Sequence, residues 1–261
     1  VNLANDSDLG HAIAMADLAD SLSMPRFRAR DLLVENKPDF TPVTDADRNV
    51  ELALRDFLTR EYPSDSVIGE EFEQSGNADR TWIIDPIDGT KNFVRGVPVW
   101  ATLIALRDSA GIGLGVVSCP ALGRRWWALR GHGAWVSEGD QVRALSVSNV
   151  SELNSASLSF SDSIGWDEPS LSRLIAATSR QRAYGDFWSH CLVAEGAVDI
   201  ASEPTLELYD YAALVPIVLE SGGKITDFSG HDLPIRDSNT QPSVLSTNGH
   251  LHQSVIKFLN N

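Results

Sequence analysis

The run Thr81-Trp-Ile-Ile-Asp-Pro-Ile-Asp-Gly-Thr90 constrains this chain more than any other ten residues. Four residues, Thr81 to Ile84, read as an apolar core strand, and Asp85 ends it because Pro86 cannot continue an ordinary ladder. Asp88 follows three residues later, and Gly89 opens a short helix. Two carboxylates at a strand end suit a hard cation, which takes oxygen ligands. The turn leaves the Ile87 carbonyl free to join them, and the N–H groups of Gly89 and Thr90 can meet a phosphate at the helix start. Spacing alone fits equally well a plain turn with a capping aspartate.

Around this run the chain alternates helical and strand patterns. Asp8 to Ser23 reads as a helix. Thr44-Asp-Ala-Asp47 has the spacing of a capping box, and behind it Val50, Ala53, Leu54, Phe57 and Leu58 form one apolar face. Strands are expected at Ser66–Gly69, Val99–Arg107, Gly113–Ser118, Trp126-Trp127 and Ala134–Val136. Adjacent Trp126 and Trp127 must face opposite sides of their strand, one into a core and the other onto an interface. Gly111-Ile-Gly-Leu-Gly115 lacks dinucleotide-loop spacing and reads as a turn.

From about residue 145 the pattern restarts. Strands at Ala156–Phe160 and Val198–Ala201 alternate with helices at Leu171–Ala177, Phe187–Glu195 and Tyr211–Glu220, the last ended by Gly222-Gly223. Leu251 to Leu259 reads as a closing helix. Residues 1–145 and 146–261 thus form two α/β halves of one compact unit, the first carrying most of the acids discussed here. The overall class is layered α/β.

More acids sit at element ends. Glu70 follows a strand in Ile68-Gly-Glu-Glu71, Asp47 lies in the first turn of a helix, and Asp210 stands at the start of another. Each has an ordinary structural role available, as a turn or cap residue. Their spacing does not prove that they converge.

Charge sharpens the question. The chain carries 36 acidic residues against 21 Lys and Arg, a formal net charge of −15. Such a surface excludes binding to long nucleic acids, which need basic contacts. An acidic protein that handles phosphate esters needs cations in its site, and bound metal is the natural source. The six histidines show no zinc-like grouping, His250 and His252 included. Cys119 and Cys191 read as buried reduced thiols. With no apolar run of transmembrane length and no leader-like opening, a soluble cytoplasmic protein without membrane association is expected.

Four blocks together resemble the inositol monophosphatase superfamily. They are Thr44-Asp-Ala-Asp-Arg-Asn-Val-Glu51, Ile68-Gly-Glu-Glu71, Trp82 to Phe93, and Tyr209-Asp210 with Glu220-Ser-Gly-Gly223, in the family's order along nearly the whole chain. The resemblance implies a five-layered αβαβα sandwich, assembled as a homodimer, and a Mg²⁺-dependent phosphatase acting on a small phosphate monoester. It implies that Glu70, Asp85 and the Ile87 carbonyl hold a first Mg²⁺, and that Asp85, Asp88 and Asp210 hold a second, with a weaker third near Glu70. Asp47 and Thr90 would pair through the hydroxyl to orient or deprotonate the attacking water, with Glu70 also serving catalysis. Gly89 and Thr90 would contact the phosphate.

Within the superfamily, Arg182-Ala-Tyr-Gly-Asp-Phe-Trp188 sits where the leaving alcohol is recognised. Asp186 stands where the inositol-specific branch usually has a small neutral residue. Glu203, seven residues before Asp210, has the spacing of a substrate-facing acid. Two acids suit a cationic group better than a polyol. With Arg124-Arg-Trp-Trp127 and Lys91 to Pro98, they resemble the bacterial histidinol-phosphate phosphatase branch, which implies L-histidinol phosphate as substrate in histidine synthesis. The structural alternatives are that Asp186 caps the following helix and Glu203 is solvated. Other readings are an inositol-1-monophosphatase, another small sugar or nucleotide phosphatase, and a catalytically silent metal- or phosphate-binding relative.

Overall fold

The computed structural model describes residues 4–37, 41–235 and 241–260. Eight helices and fourteen strands are assigned among them. In the first part these are α1 (Asp6–Ser23), β1 (Val34–Asn36), β2 (Pro42–Thr44), α2 (Asp45–Glu61), β3 (Ser66–Gly69), β4 (Thr81–Asp88), α3 (Thr90–Arg95), β5 (Ala101–Asp108), β6 (Gly111–Cys119), β7 (Arg124–Leu129), β8 (Ala134–Glu138) and β9 (Gln141–Ala144). Then come β10 (Ser157–Ser159), α4 (Glu168–Ala177), β11 (Arg180–Arg182), α5 (Asp186–Ala194), β12 (Ile200–Glu203), α6 (Leu208–Tyr211), α7 (Leu214–Glu220), β13 (Lys224–Thr226), β14 (Val244–Thr247) and α8 (His252–Leu259).

Two sheets dominate. Strands β3 to β9 lie side by side in chain order as a seven-stranded sheet, antiparallel except for the β3–β4 pair. The second is a mixed five-stranded sheet of order β11-β10-β12-β14-β13. Because side chains alternate along a strand, both faces of the large sheet need cover. Trp82 and Ile84 point into a core made with Ala12, Met15, Ala16, Val50, Leu54 and Leu58 of α1 and α2. Ile83, between them, joins a second core with Phe187 and Cys191 of α5 and Leu214, Ile217 and Val218 of α7. That second core also takes Ile225 and Val244 from the small sheet, so it is built from both sides of residue 145. A third core packs Leu158, Ile200 and Leu245 of the small sheet against Leu174 of α4 and Val255 of α8. Helix pair, sheet, helix layer, sheet, helix pair is the expected αβαβα sandwich.

Several local expectations change. Strand β4 does not stop before Pro86 but runs on to Asp88, with a register shift between Asp85 and Asp88. Its parallel partner β3 ends at Gly69 opposite Ile84, so the missing Pro86 N–H leaves no broken bond on that side. The single helix expected over Tyr211–Glu220 is two helices, α6 and α7. Pro216 cannot donate to the Ala212 carbonyl four residues back, and Leu219 near the end of α7 is 50% exposed. Gly111 to Gly115 lies in strand β6 rather than a turn; a Cβ at Gly115 would meet the Ala213 carbonyl oxygen at 2.2 Å. Trp126 enters the second core, whereas Trp127 packs against the first. Among the described residues no helix is long and apolar enough to cross a membrane.

Candidate active site

The bulged end of β4 carries the centre of the site. Asp85 is 1% exposed, and its Oδ1 accepts the Ile87 N–H at 3.0 Å, which shapes the bulge. Asp88 accepts the Phe187 N–H on Oδ2 at 2.8 Å. Asp210 arrives from α6, where it closes a capping box by accepting the Glu207 N–H at 2.8 Å. One carboxylate oxygen from each of Asp85, Asp88 and Asp210 lies within 4.8 Å of the others. The capping role and the convergence therefore coexist in Asp210.

Glu70 approaches from the end of β3, and the block around it has a packing logic. Buried Glu51 of α2 accepts the Glu71 N–H on Oε2 at 2.7 Å and binds Arg55 through Oε1. A Cβ at Gly69 would lie 2.1 Å from that Oε1, so only glycine lets the strand end pass this carboxylate. The Lys37 ammonium, which the sequence did not flag, lies 2.6 Å from Glu70 and 2.7 Å from Glu71. Burial opposes its charge, but the two glutamates raise its pKa.

These acids are costly to ionise together. Burial raises Asp85 and Asp88 well above the carboxylate range, Asp85 further because of Glu70 and Asp88, and Asp88 because of Asp186 and Asp210. Asp210 is raised to about 8 and Glu70 to about 7, in both cases mainly by burial, with Lys37 acting against it at Glu70. Converging, desolvated oxygen donors with excess negative charge are the donor chemistry of a hard divalent cation, so the residues present fit Mg²⁺.

The Asp47–Thr90 pair also forms. Thr90 Oγ1 lies 3.3 Å from Asp47 Oδ1 and 2.9 Å from the Ile87 carbonyl oxygen, which is thus engaged by a hydroxyl on one side. Asp47 is fully buried. Its Oδ2 accepts the Thr44 N–H at 2.9 Å and also the Thr44 hydroxyl, so it is the capping-box acid as well. Burial raises it to about 6, opposed by these bonds. Gly89 caps α3 with φ 81°.

Beside the acids opens a cavity of about 470 Å³ lined by Lys37, Glu70, Thr90, Asn92, Asp186 and Asp210, among others. Asp186 does not cap its helix; the cap is Gly185, and Asp186 itself has φ 50°. Its N–H donates to Ser161 Oγ at 2.8 Å, and its Oδ2 accepts the Asn92 amide at 3.1 Å. Glu203 is not solvated but 4% exposed, and accepts the Ser161 hydroxyl at 2.8 Å. Ser161 therefore joins the Asp186 main chain to the Glu203 carboxylate, and of the two acids only Asp186 lines the cavity. Burial raises Asp186 to about 6, tempered by Lys91, and Glu203 to about 8, tempered by the Ser161 bond. Arg124 and Arg125 stay out of the site: Arg124 pairs with Glu138 and Glu195, and Arg125 with Asp17 and Asp20.

The profile of the inositol monophosphatase family matches residues 5–261. This chain belongs to that family. A histidinol-phosphatase of Mycobacterium tuberculosis is 55% identical over 97% of this chain and 98% of its own length. One from Streptomyces coelicolor is 48% identical over 97% of both. The structure of an inositol monophosphatase from Thermotoga maritima superposes with a TM-score of 0.87 at 30% identity, covering 97% of each chain.

Proposed function

We propose that the protein hydrolyses L-histidinol phosphate to L-histidinol and phosphate. The observation that carries the substrate is the Asp186 carboxylate, which lines the same cavity as Asp210 of the acid cluster, with Glu203 buried behind it. A cluster that collects cations binds the phosphate, and an acid on the wall of the adjoining cavity suits the cationic alcohol. The two relatives named histidinol-phosphatase support this reading.

In this reading Glu70, Asp85, Asp88, Asp210 and the Ile87 carbonyl hold two Mg²⁺ ions, with a third, weaker ion near Glu70. The chemistry that bound Mg²⁺ supplies here is charge neutralisation, attraction of the phosphate and acidification of the attacking water. Thr90 Oγ1 accepts a proton from that water as its own passes to Asp47, whose value near 6 leaves it mostly ionised at neutral pH. The N–H groups of Gly89 and Thr90 orient the phosphate. Burial behind the cavity wall keeps competing water from Asp47. A homodimer in the cytoplasm, taking part in histidine synthesis, completes the reading.

The deciding experiment is phosphate release with Mg²⁺ from histidinol phosphate beside inositol 1-phosphate. The expected result is a kcat/KM for histidinol phosphate larger by at least about two orders of magnitude, within the roughly 10⁴-fold that a site built to hydrogen-bond its substrate can supply. Equal values would sink the substrate assignment while leaving the phosphatase in place, and no release from either would sink both.

A further inference from the structure

The carboxylate of Asp186 is held by an amide that no part of the reading above has used. Asn92 lies on α3 next to Phe93, which is fully buried against Trp100 with ring centroids 4.8 Å apart. The helix turn that carries Asn92 is thus nailed to an aromatic core formed with Phe27. The Asn92 side-chain nitrogen has two N–H groups, and both are used. One donates to the Val99 carbonyl at 2.9 Å, and the other to Asp186 Oδ2 at 3.1 Å. The first bond fixes the plane of the amide, so the second is delivered from a fixed direction.

Asp186 needs such a hold. Its backbone sits in the left-handed region at φ 50°, which a side chain other than glycine adopts at a cost. Ser161 receives its N–H, and the N–H of the next residue goes to Asp88. The main chain is therefore pinned at both ends, and Asn92 selects where the carboxylate points. Oδ1 accepts no hydrogen bond from any described residue among those assigned, and Asp186 lines the cavity.

We propose that Asn92 is a specificity-determining positioning residue: it aims the Asp186 carboxylate so that Oδ1 meets the cationic part of the leaving alcohol. This rests on the reading of Asp186 as the acid that faces that cation. Asn92 itself touches no reacting atom. An aspartate at position 92 would have the same shape but no donor, and would repel Asp186.

The test compares Asn92→Ala, Asn92→Asp, Asp186→Ala and the Asn92→Ala/Asp186→Ala double variant, each assayed with Mg²⁺ on histidinol phosphate and on glycerol 2-phosphate, a neutral-alcohol ester. The readout is the ratio of the two kcat/KM values, with the melting temperature alongside. Asp186→Ala is expected to lower that ratio at least about tenfold, the worth of one bond to a charged group. Each Asn92 variant should lower it by a similar factor, chiefly through KM for histidinol phosphate, and the double variant should be no less selective than Asp186→Ala alone. If Asp186→Ala leaves the ratio unchanged, the cation-facing reading falls, and this inference with it. If Asp186→Ala lowers the ratio but the Asn92 variants do not, or if both esters and the melting temperature suffer together in both Asn92 variants, Asn92 is structural and only this inference falls.

Discussion

The Phe187 N–H donates to Asp88 Oδ2 at 2.8 Å, tying the first turn of α5 to an acid of the Asp85, Asp88 and Asp210 cluster. One residue before it, Asp186 lines the cavity, so the cavity wall and the acid cluster share a single peptide link.

Replacing Asp88 by asparagine separates the two jobs of this carboxylate. The amide oxygen can still accept from Phe187, so α5 should stay in place. The charge proposed to bind the cation is lost. Calorimetric titration of Mg²⁺ should show weaker binding, and kcat/KM should fall by at least about a hundredfold. The metal-free variant should melt no lower than the parent, because burial and the charges of Asp186 and Asp210 already disfavour ionised Asp88. Unchanged Mg²⁺ affinity would remove Asp88 from the cation site.

Gly69→Ala is expected to be far more damaging than its size suggests. A Cβ there would overlap the Glu51 carboxylate at 2.1 and 2.3 Å. Glu51 is buried, paired with Arg55 and fixed by the Glu71 N–H, so it has nowhere cheap to go. Overpacking of this kind costs about 1–3 kcal/mol, and here it also shifts Glu70. Denaturant unfolding should show that loss, and Mg²⁺ affinity should drop with it. A variant with parental stability would mean that Glu51 relaxes freely.

Much of this site was legible because its structural and chemical signals coincide. Thr44 and Asp47 could be read as a capping box from spacing, and they form one; the same buried carboxylate meets Thr90. The Asp85 to Thr90 run, too, carries its bulge, its acids and its glycine within a few residues. What stayed hidden depends on distant partners. Lys37 lies 33 residues before Glu70, and the Asn92–Asp186 bond spans 94 residues; nothing local announces either. The break between α6 and α7 was masked for another reason. Tyr211, Leu214, Val215 and Val218 keep a helical period straight through it, and that period outweighed the missing donor of Pro216. A helix cap was the structural alternative for Asp186 because it opens α5, yet the cap is Gly185 and the left-handed Asp186 bonds Asn92 through its carboxylate.

The acid cluster also sets how stability depends on pH. Glu70, Asp210 and Glu203 have folded values raised to about 7, 8 and 8, chiefly by burial, against ordinary carboxylate values near 4. Between those limits the folded protein holds more protons than the unfolded chain. Their stabilising contribution is therefore complete below about pH 4 and is lost as pH rises through 7 to 8. His190 and His252 work in the opposite direction: burial lowers both to about 4, so their contribution is lost as pH falls below about 6.5. A window from pH 7 to 9 isolates the acids. In EDTA the melting temperature should fall across that window. Saturating Mg²⁺ binds the ionised carboxylates of Glu70 and Asp210, and at a hundred times its dissociation constant it adds about 2.7 kcal/mol per site. The fall should then shrink, leaving mainly the part due to Glu203, which is not among the proposed cation ligands. Scanning calorimetry at pH 7 and 9, with and without Mg²⁺, measures all four states. A melting temperature in EDTA that rises with pH would mean that these carboxylates are solvated, and the case for a cation site built on their desolvation would fail with it.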